Sequence, residues 1–305
     1  MNAVIIERDA AAGRTRRAPA IPDLTLAQFV LGAAYRRGGK RALVDAATGR
    51  ELSYAGLANA VRETGAGLSA RGVRPGDVLA LCAPNCIEFA VAFYAATAIG
   101  APVTTVNPLC TGDEISRQLR QTGARWLVTT SGLAEQKLRA VMPRTAIVET
   151  FVIGEPVAGT TPFGSLRVAA PAPAGPASAS DVALLPTSSG TTGLPKSVEL
   201  THRNLVASLC QTWTVQQVTE DDVVIAALPL FHIYGLQIAL NLPLLAGATV
   251  VILPRFELAA FLRAVQDHGI TRAEVVPPML LGLMTSDAVG GYDLSTLRLL
   301  TSVMP

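Results

Sequence analysis

The residues best suited to chemistry in this sequence lie together between positions 187 and 197, in the order Thr-Ser-Ser-Gly-Thr-Thr-Gly-Leu-Pro-Lys-Ser. Five hydroxyl-bearing side chains surround Gly190, and Lys196 follows them. Hydroxyls, backbone amides and one ammonium group suit a polyanion such as the phosphates of a nucleotide. An apolar run before them, 182–185, and alternating residues after them, 198–200, predict a polar loop between two strands. A surface hairpin could have the same composition, so composition alone leaves both interpretations open.

Two common phosphate-binding loops do not fit these residues. The P-loop of nucleoside triphosphatases needs a glycine immediately before its lysine, whereas Pro195 stands there and has no N–H to give a phosphate. The residues after Lys196 have a strand pattern, so no helix N-terminus follows to attract an anion. A dinucleotide-binding loop needs three spaced glycines, and only Gly190 and Gly193 are present. A self-contained kinase or triphosphatase is therefore disfavoured.

The composition limits the class of protein. At 305 residues the chain exceeds the usual size of one domain, so two domains or subdomains are expected. Half of the residues are hydrophobic and 16% are charged, which favours a folded chain over a disordered one. The net charge is +2 and there is no long basic run. We therefore expect no nucleic-acid partner.

The sequence also predicts a cytoplasmic protein. No apolar segment follows the N-terminal arginines, so no signal peptide is expected. The longest apolar tract, 238–253, contains Asn241, Pro243 and Gly247, and it predicts a helix followed by a strand rather than a membrane span. The four cysteines include only one closely spaced pair. We interpret them as reduced thiols and expect no zinc site.

Strand and helix patterns alternate along the chain with short turns between them. This order predicts an α/β fold whose mostly parallel sheets are covered by helices. A change to proline, alanine, glycine and serine over 156–180 predicts a linker. The predicted division is a flexible tail over 1–22, a first subdomain over 23–155, the linker, and a second subdomain over 181–305 that carries the polar loop.

Local signals predict how some of these elements begin. Asp23 is a candidate N-cap of the first helix, and Thr111 with Glu114 has the spacing of a capping box. A helix is predicted over 133–141. The acidic pair Asp221-Asp222 is interpreted as two solvated turn charges.

With the surrounding segments, the polar loop resembles a known family. Ser188–Lys196 followed by Leu200-Thr201-His202 is similar to the phosphate-loop signature of the adenylate-forming acyl- and aryl-CoA ligases, and 228–235 (Leu-Pro-Leu-Phe-His-Ile-Tyr-Gly) resembles their second signature. Further similar segments are Gly76-Asp77-Val78, Pro84-Asn85-Cys86-Ile87-Glu88-Phe89 and Val106-Asn107-Pro108. The resemblance extends from about Leu24 to Leu300 and is closest to the 4-coumarate–CoA ligase group.

The resemblance implies two stacked subdomains and a two-step reaction. A hydroxycinnamic, aromatic or medium-chain carboxylic acid would attack the α-phosphate of ATP, and the thiol of coenzyme A would then displace AMP from the acyl-adenylate. The small-molecule acid, ATP and coenzyme A are therefore the expected partners, with Mg²⁺ as cofactor.

The resemblance also implies roles for individual residues. His232 would orient the carboxylate and the adenylate, Tyr234 would line the acyl pocket, and Arg255 would bind coenzyme A. Each of these three could instead be an ordinary packed or solvated side chain. The residues implied to hold the ATP phosphates are Ser188, Ser189, Gly190, Thr191, Thr192, Gly193 and Lys196.

The sequence departs from the family pattern in two places. Ser197 stands where family members usually have glycine, and we expect impairment if that position needs a positive φ. The chain ends at Pro305, where family members enter a small-residue loop, and Val303 and Met304 are bulkier than that loop. We therefore expect the 305 residues to lack most adenylation activity and to leave a sheet edge exposed. The alternatives are a ligase completed by a C-terminal chain and an inactive remnant that binds nucleotide or a partner chain.

Overall fold

The protein is described here by a computed structural model covering residues 20–170, 178–188 and 196–302. The strands are Arg41–Asp45 (β1), Glu51–Ser53 (β2), Leu79–Cys82 (β3), Val103–Thr105 (β4), Trp126–Thr130 (β5), Glu149–Ile153 (β6), Thr161–Pro162 (β7), Val182–Leu184 (β8), Thr187–Ser188 (β9), Lys196–Ser197 (β10), Leu200–Thr201 (β11), Val223–Ala226 (β12), Thr249–Ile252 (β13), Arg272–Val275 (β14) and Leu299–Ser302 (β15). The α-helices are Leu26–Leu31 (α1), Ala34–Arg37 (α2), Tyr54–Ala70 (α3), Ile87–Ala98 (α4), Gly112–Gln121 (α5), Ser131–Leu133 (α6), His202–Gln216 (α7), Leu242–Ala246 (α8), Leu258–His268 (α9) and Pro277–Thr285 (α10).

Two mostly parallel sheets dominate the fold. The six-stranded sheet has the order β15-β14-β12-β13-β1-β2 and is parallel except for β2, which forms a hairpin with β1. The seven-stranded sheet has the order β11-β8-β4-β3-β5-β6-β7, and β11 is its antiparallel strand. The predicted α/β architecture with mostly parallel sheets is thus confirmed.

Helix α4 explains how the two sheets are held together. It contacts β1 of one sheet and both β3 and β4 of the other, and ten of its twelve residues are buried. An almost wholly apolar sequence leaves this helix no face for solvent, so it packs between two layers. The main hydrophobic core fills this space, while α9 covers the opposite face of the six-stranded sheet.

Strand pairing does not follow the predicted division of the chain. Strands β1 and β2 belong to the predicted first subdomain, yet β1 pairs with β13. Strand β8 follows the predicted linker, yet it pairs with β4 of the first half. The domain boundaries stay a prediction, but each sheet combines strands from both sides of 156–180.

Helix starts follow the sequence only in part. The capping box of Thr111 and Glu114 is present at α5. The first helix, however, is capped by Thr25 rather than Asp23. The Thr25 hydroxyl accepts from the Gln28 backbone amide, and the Gln28 side-chain oxygen accepts from the Thr25 backbone amide. The predicted helix over 133–141 is also different, since α6 passes directly into a π-helical turn at Ala134–Leu138.

The long apolar tract has the predicted form of a helix followed by a strand. A π-helical segment, Gly235–Asn241, continues as α8, and Gly247 with φ 91° ends that helix before β13. A positive φ suits glycine because it has no Cβ. In the described ranges, no helix is both long and apolar enough to cross a membrane.

Candidate functional site

The polar loop begins at the carboxyl end of β8. Its two arms are β9 and β10, which pair Ser188 with Lys196 and Thr187 with Ser197. The Ser188 hydroxyl donates to the Lys196 carbonyl oxygen at 3.3 Å, and both residues are exposed. The carboxyl ends of parallel strands are where α/β folds bind ligands. The candidate phosphate ligands that lie outside the described residues are Ser189, Gly190, Thr191, Thr192 and Gly193.

Ser197 does not have the backbone conformation that would make its side chain costly. It lies in β10, and Gln217 is the only non-glycine residue with positive φ in the part of the chain described. The expected strain is therefore absent, because a strand conformation suits serine. Its Oγ is buried and has no hydrogen-bond partner among the residues that the structure describes, so within that part of the chain the hydroxyl is unsatisfied.

His232 lies in a tight turn after the carboxyl end of β12. Its amide donates to the Pro229 carbonyl at 3.1 Å, and its own carbonyl accepts from the Leu236 amide at 3.0 Å. The ring is exposed, and Nδ1 accepts from the Tyr234 amide at 3.3 Å. This bond places the proton of a neutral ring on Nε2, which is then the nitrogen left for a ligand.

Gly235 allows this turn to close. A Cβ at this position would lie 2.2 Å from the Pro229 carbonyl oxygen, far inside van der Waals contact. Any side chain would push the start of the π-helical segment away from residues 228–230. Glycine is therefore required by close approach and not by an unusual φ.

Asn85 joins the carboxyl edges of the two sheets. It follows β3 of the seven-stranded sheet, is 3% exposed, and its Nδ2 lies 3.2, 2.8 and 3.1 Å from three carbonyl oxygens of the six-stranded side. These belong to Ala226, Leu228 and Leu253. Its Oδ1 accepts from the Leu230 amide at 2.8 Å. Asn85 thus fixes the segment that leads into His232.

The role of Asn85 was missed by sequence reasoning, which identified it only as part of a family-like segment. Its signal was a polar residue three positions after the end of the buried strand β3. Buried polar side chains persist where they satisfy backbone groups, and this one satisfies four.

Tyr234 points its hydroxyl into the six-stranded sheet. The hydroxyl donates to Glu274 Oε2 at 2.9 Å, and Glu274 on β14 is 3% exposed. Burial raises the pKa of Glu274, although the hydrogen bond from Tyr234 and the charge of Arg272 act in the opposite direction. Burial and the neighbouring carboxylate also raise the pKa of the Tyr234 phenol. Glu274 was not identified from the sequence.

Arg255 lies after the carboxyl end of β13, the strand beside β12. It is exposed and lines a cavity of about 390 Å³ between the turn after β1 and helix α9. Arg263 and His268 add a guanidinium and an imidazole, and Glu257 and Asp267 add two acidic groups. Arg255 and His232 therefore lie at the same edge of the six-stranded sheet, which is the edge that Asn85 contacts.

The interpretation of Asp222 as a solvated charge was wrong. Asp222 is 4% exposed, and its carboxylate accepts from the Thr219 amide, the Thr271 hydroxyl at 2.8 Å and Arg298 at 3.0 Å. Burial disfavours its charge, but the donors of Thr219 and Thr271 and the charge of nearby Arg272 hold its pKa below the usual range. It lies at the amino end of β12, at the edge opposite to His232.

The described residues contain no group of three or more His, Cys, Asp or Glu side chains placed to hold a metal ion. Lys196 and the hydroxyl of Ser188 fit a phosphate chain, since both are exposed at the end of β8. The donor set is therefore one for an anionic ligand.

Comparisons with known proteins identify the family. The chain is 40% identical over 292 residues to 4-coumarate–CoA ligase 5 of Oryza sativa subsp. japonica, covering 93% of this chain and 53% of that protein. It is 39% identical to a 4-coumarate–CoA ligase of Pinus taeda, covering 85% of this chain and 49% of that protein. The chain therefore spans about half the length of the ligases it matches.

Solved structures with a similar fold include an anthranilate CoA ligase in complex with anthranoyl-AMP, with a TM-score of 0.85 and 25% identity over 92% of this chain and 55% of that one. A long-chain-fatty-acid-CoA ligase from Archaeoglobus fulgidus gives a TM-score of 0.84 and 25% identity over 93% of this chain and 58% of that one. A family model described as AMP-binding enzyme matches residues 32–304. The chain belongs to the AMP-binding enzyme family.

Proposed function

We propose that the chain carries the nucleotide and acyl half of an ATP-dependent carboxylic acid–CoA ligase. The observation that carries the proposal is that Asn85 joins the two sheets at the edges where their parallel strands have their carboxyl ends. The loop arms with Lys196 follow β8 at one edge, and the His232 turn follows β12 at the other. This shared side supports an anion site at Lys196 and a site that orients the nucleophile at His232.

The chemistry follows from positioning and charge. The acid's carboxylate attacks the α-phosphorus and pyrophosphate leaves, so negative charge develops on phosphate oxygens. Lys196 and the hydroxyls of the loop are suited to neutralise it. His232, through Nε2, would hold the carboxylate or the adenylate, and Tyr234 would line the acyl pocket. Mg²⁺ would shield the phosphates, and none of the described residues is assigned to it.

We further propose that coenzyme A enters beside Arg255 and that its thiol attacks the acyl carbonyl and releases AMP. An aromatic or hydroxycinnamic acid is the preferred substrate class. Its support is the identity to proteins named 4-coumarate–CoA ligases and the fold shared with a ligase solved with anthranoyl-AMP. The proposed location is the cytoplasm.

Pyrophosphate exchange tests the first step. The purified chain is incubated with ATP, Mg²⁺, labelled pyrophosphate and 4-coumarate, and label entering ATP is measured. We expect slow, acid-dependent exchange that Lys196→Ala lowers by about 10²–10³-fold, while the charge-retaining Lys196→Arg loses less. Exchange that is unchanged in Lys196→Ala would contradict the proposal.

The second candidate function is a chain that binds nucleotide without turnover. It is favoured by the span of the chain, about half of its relatives. ATP binding that depends on Lys196, without any exchange, would support it. Exchange that appears when the second half of a related ligase is added would instead support a ligase completed by a C-terminal chain.

A further inference from the structure

Glu274 is a buried carboxylate that forms no ion pair with any residue in the described part of the chain. It is 3% exposed, and the hydroxyl of Tyr234 is the donor that its carboxylate receives. The nearest cation on its strand, Arg272, is engaged elsewhere, since it donates to the Gln216 carbonyl at 2.6 Å and lies 3.8 Å from Asp222. Burying a carboxylate without compensation costs several kcal/mol.

The surroundings of Glu274 place it towards the proposed acyl site. Tyr234, its hydrogen-bond donor among residues 20–170, 178–188 and 196–302, lies two residues after the exposed His232. On the neighbouring strand, Thr301 of β15 is in register with Glu274, and parallel strands in register present these side chains on the same face. A phenol, a carboxyl and a hydroxyl therefore share a face that is otherwise close to the main apolar core.

We propose that Glu274 is a specificity-determining residue: with Tyr234 it forms the polar end of the acyl pocket and accepts a hydrogen bond from a hydroxyl or amino group of the bound acid. This inference rests on the proposed ligase function. Tyr234 occupies one carboxyl oxygen, Oε2, which leaves Oε1 as the acceptor for the ligand.

The chemistry of a buried acceptor explains why this selects substrates. An acid that brings a donor compensates the buried carboxyl, whereas an acid without one leaves it unpaired. A methyl ether replaces the donor hydrogen with a bulkier methyl group, so it cannot donate and it places an oxygen lone pair near the carboxyl. Sites built around a buried polar group discriminate far more strongly than apolar pockets do.

The test measures binding of four acids to the chain by titration calorimetry. The acids are 4-hydroxycinnamate, 4-aminocinnamate, 4-methoxycinnamate and unsubstituted cinnamate. We expect the two donor-bearing acids to bind at least about 10-fold more tightly than the other two, a difference typical of one buried hydrogen bond. Glu274→Ala should abolish this preference and bind the methoxy acid best.

Two variants separate recognition from folding. Glu274→Gln keeps the shape and an acceptor oxygen, and its amide can also donate to an ether, so discrimination against 4-methoxycinnamate should narrow. The matched control is Asp222→Asn, which changes a buried carboxylate at the opposite edge and should leave the order of the four acids unchanged. Thermal unfolding checks that each variant is folded.

The outcomes are distinct. Equal binding of the four acids, or a donor preference that survives both Glu274→Ala and Glu274→Gln, overturns the inference and leaves the ligase proposal intact. Failure of the wild-type chain to bind any of the acids contradicts the proposed acyl site, and the inference is lost with it. If the wild-type chain and Asp222→Asn prefer the donor-bearing acids and the Glu274 variants do not, the result supports both the Glu274 inference and the proposed acyl site.

Discussion

Asp222 and Glu274 are buried carboxylates on the same sheet, one just before β12 and one within the neighbouring β14. Asp222 receives an amide, a hydroxyl and a guanidinium, and the balance lowers its pKa. Glu274 receives one phenol, and burial raises its pKa. The first lies at the amino edge of the sheet, and the second lies nearer to the edge with His232.

The difference separates two uses of a buried charge. At the amino edge, each lone pair has a partner within the chain, so the carboxylate stabilises the fold. Near the carboxyl edge the compensation is incomplete, which is typical of positions where a ligand supplies the rest. Burial alone does not distinguish the two residues, but the number and charge of their donors do.

The largest expected effect comes from Asn85→Ala, which removes the hydrogen bonds between the two sheets at the carboxyl ends of their strands. The Leu228 and Leu253 carbonyls and the Leu230 amide lose their partner, while the Ala226 carbonyl keeps the Leu253 amide. Each unsatisfied buried group costs about 1–3 kcal/mol. We expect unfolding free energy to fall by about 3 kcal/mol or more. Urea unfolding measures this loss, and hydrogen exchange should show the Leu230 amide losing protection.

Asn85→Asp is the control for that variant, because it keeps the acceptor for Leu230 and loses the amide donor. A stability equal to that of the wild-type chain in both variants would show that Asn85 does not fix the His232 turn.

Asp222→Ala should be the next most damaging change. It leaves the Thr219 amide without its acceptor, and the Thr271 hydroxyl keeps only the longer contact of 3.3 Å to the Val223 carbonyl. Hydrogen bonds to charged groups contribute about 1.5–3 kcal/mol. We expect a loss of about 2–3 kcal/mol in thermal or urea unfolding. Glu274→Gln should not cause a comparable loss, and if it does, the contrast between the two carboxylates fails.

The two carboxyls should also have opposite effects on stability as pH changes. The lowered pKa of Asp222 means that its contribution is present above the ordinary aspartate pKa and is lost as pH falls through the folded value. The raised pKa of Glu274 means that stability declines as pH rises from the ordinary glutamate pKa through the folded value. Urea unfolding at several pH values should show Glu274→Gln converging with the wild-type chain in acid and exceeding it at neutral pH.

The same measurement on Asp222→Asn is the matched comparison. This variant should lose less stability than the wild-type chain as the pH falls. Parallel pH profiles for wild-type chain and both variants would contradict the assigned directions.

The smallest effect is expected for Arg298→Ala. Arg298 lies 3.0 Å from Asp222, but its side chain is 65% exposed, so solvent screens the pair. The loss should be below about 1 kcal/mol. A loss as large as that of Asp222→Ala would mean that the amino-edge cluster depends on the ion pair and not on its neutral donors.

The sequence predicted the layers of this fold better than the partners of its polar groups. Alternating patterns were enough for the parallel sheets, and Thr111 with Glu114 was enough for the start of α5. Asp222 was misjudged because it sits beside another acid in a turn, while Thr271 and Arg298 come from 49 and 76 residues further along the chain. No local pattern carries that information.

The candidate site shows the same limit. The signature segments led to Lys196, His232, Tyr234 and Arg255, whose roles stay predictions. Glu274 could not be found in this way, because a glutamate in a short alternating strand is expected to face solvent. Here the π-helical segment that begins at Gly235 packs over β14 and covers that face.

The pairing of β1 with β13 has a consequence for the newly made chain. The hydroxyl of Thr249 donates to the carbonyl of Arg41 across 208 residues of sequence. At roughly 5–20 residues per second a ribosome needs about 10–40 s to make that stretch. During this time the hairpin of β1 and β2 has no neighbouring strand from β13, although α3 and α4, which pack on β1, are already made. The edge of β1 that β13 later covers is therefore unpaired in the nascent chain until β13 emerges.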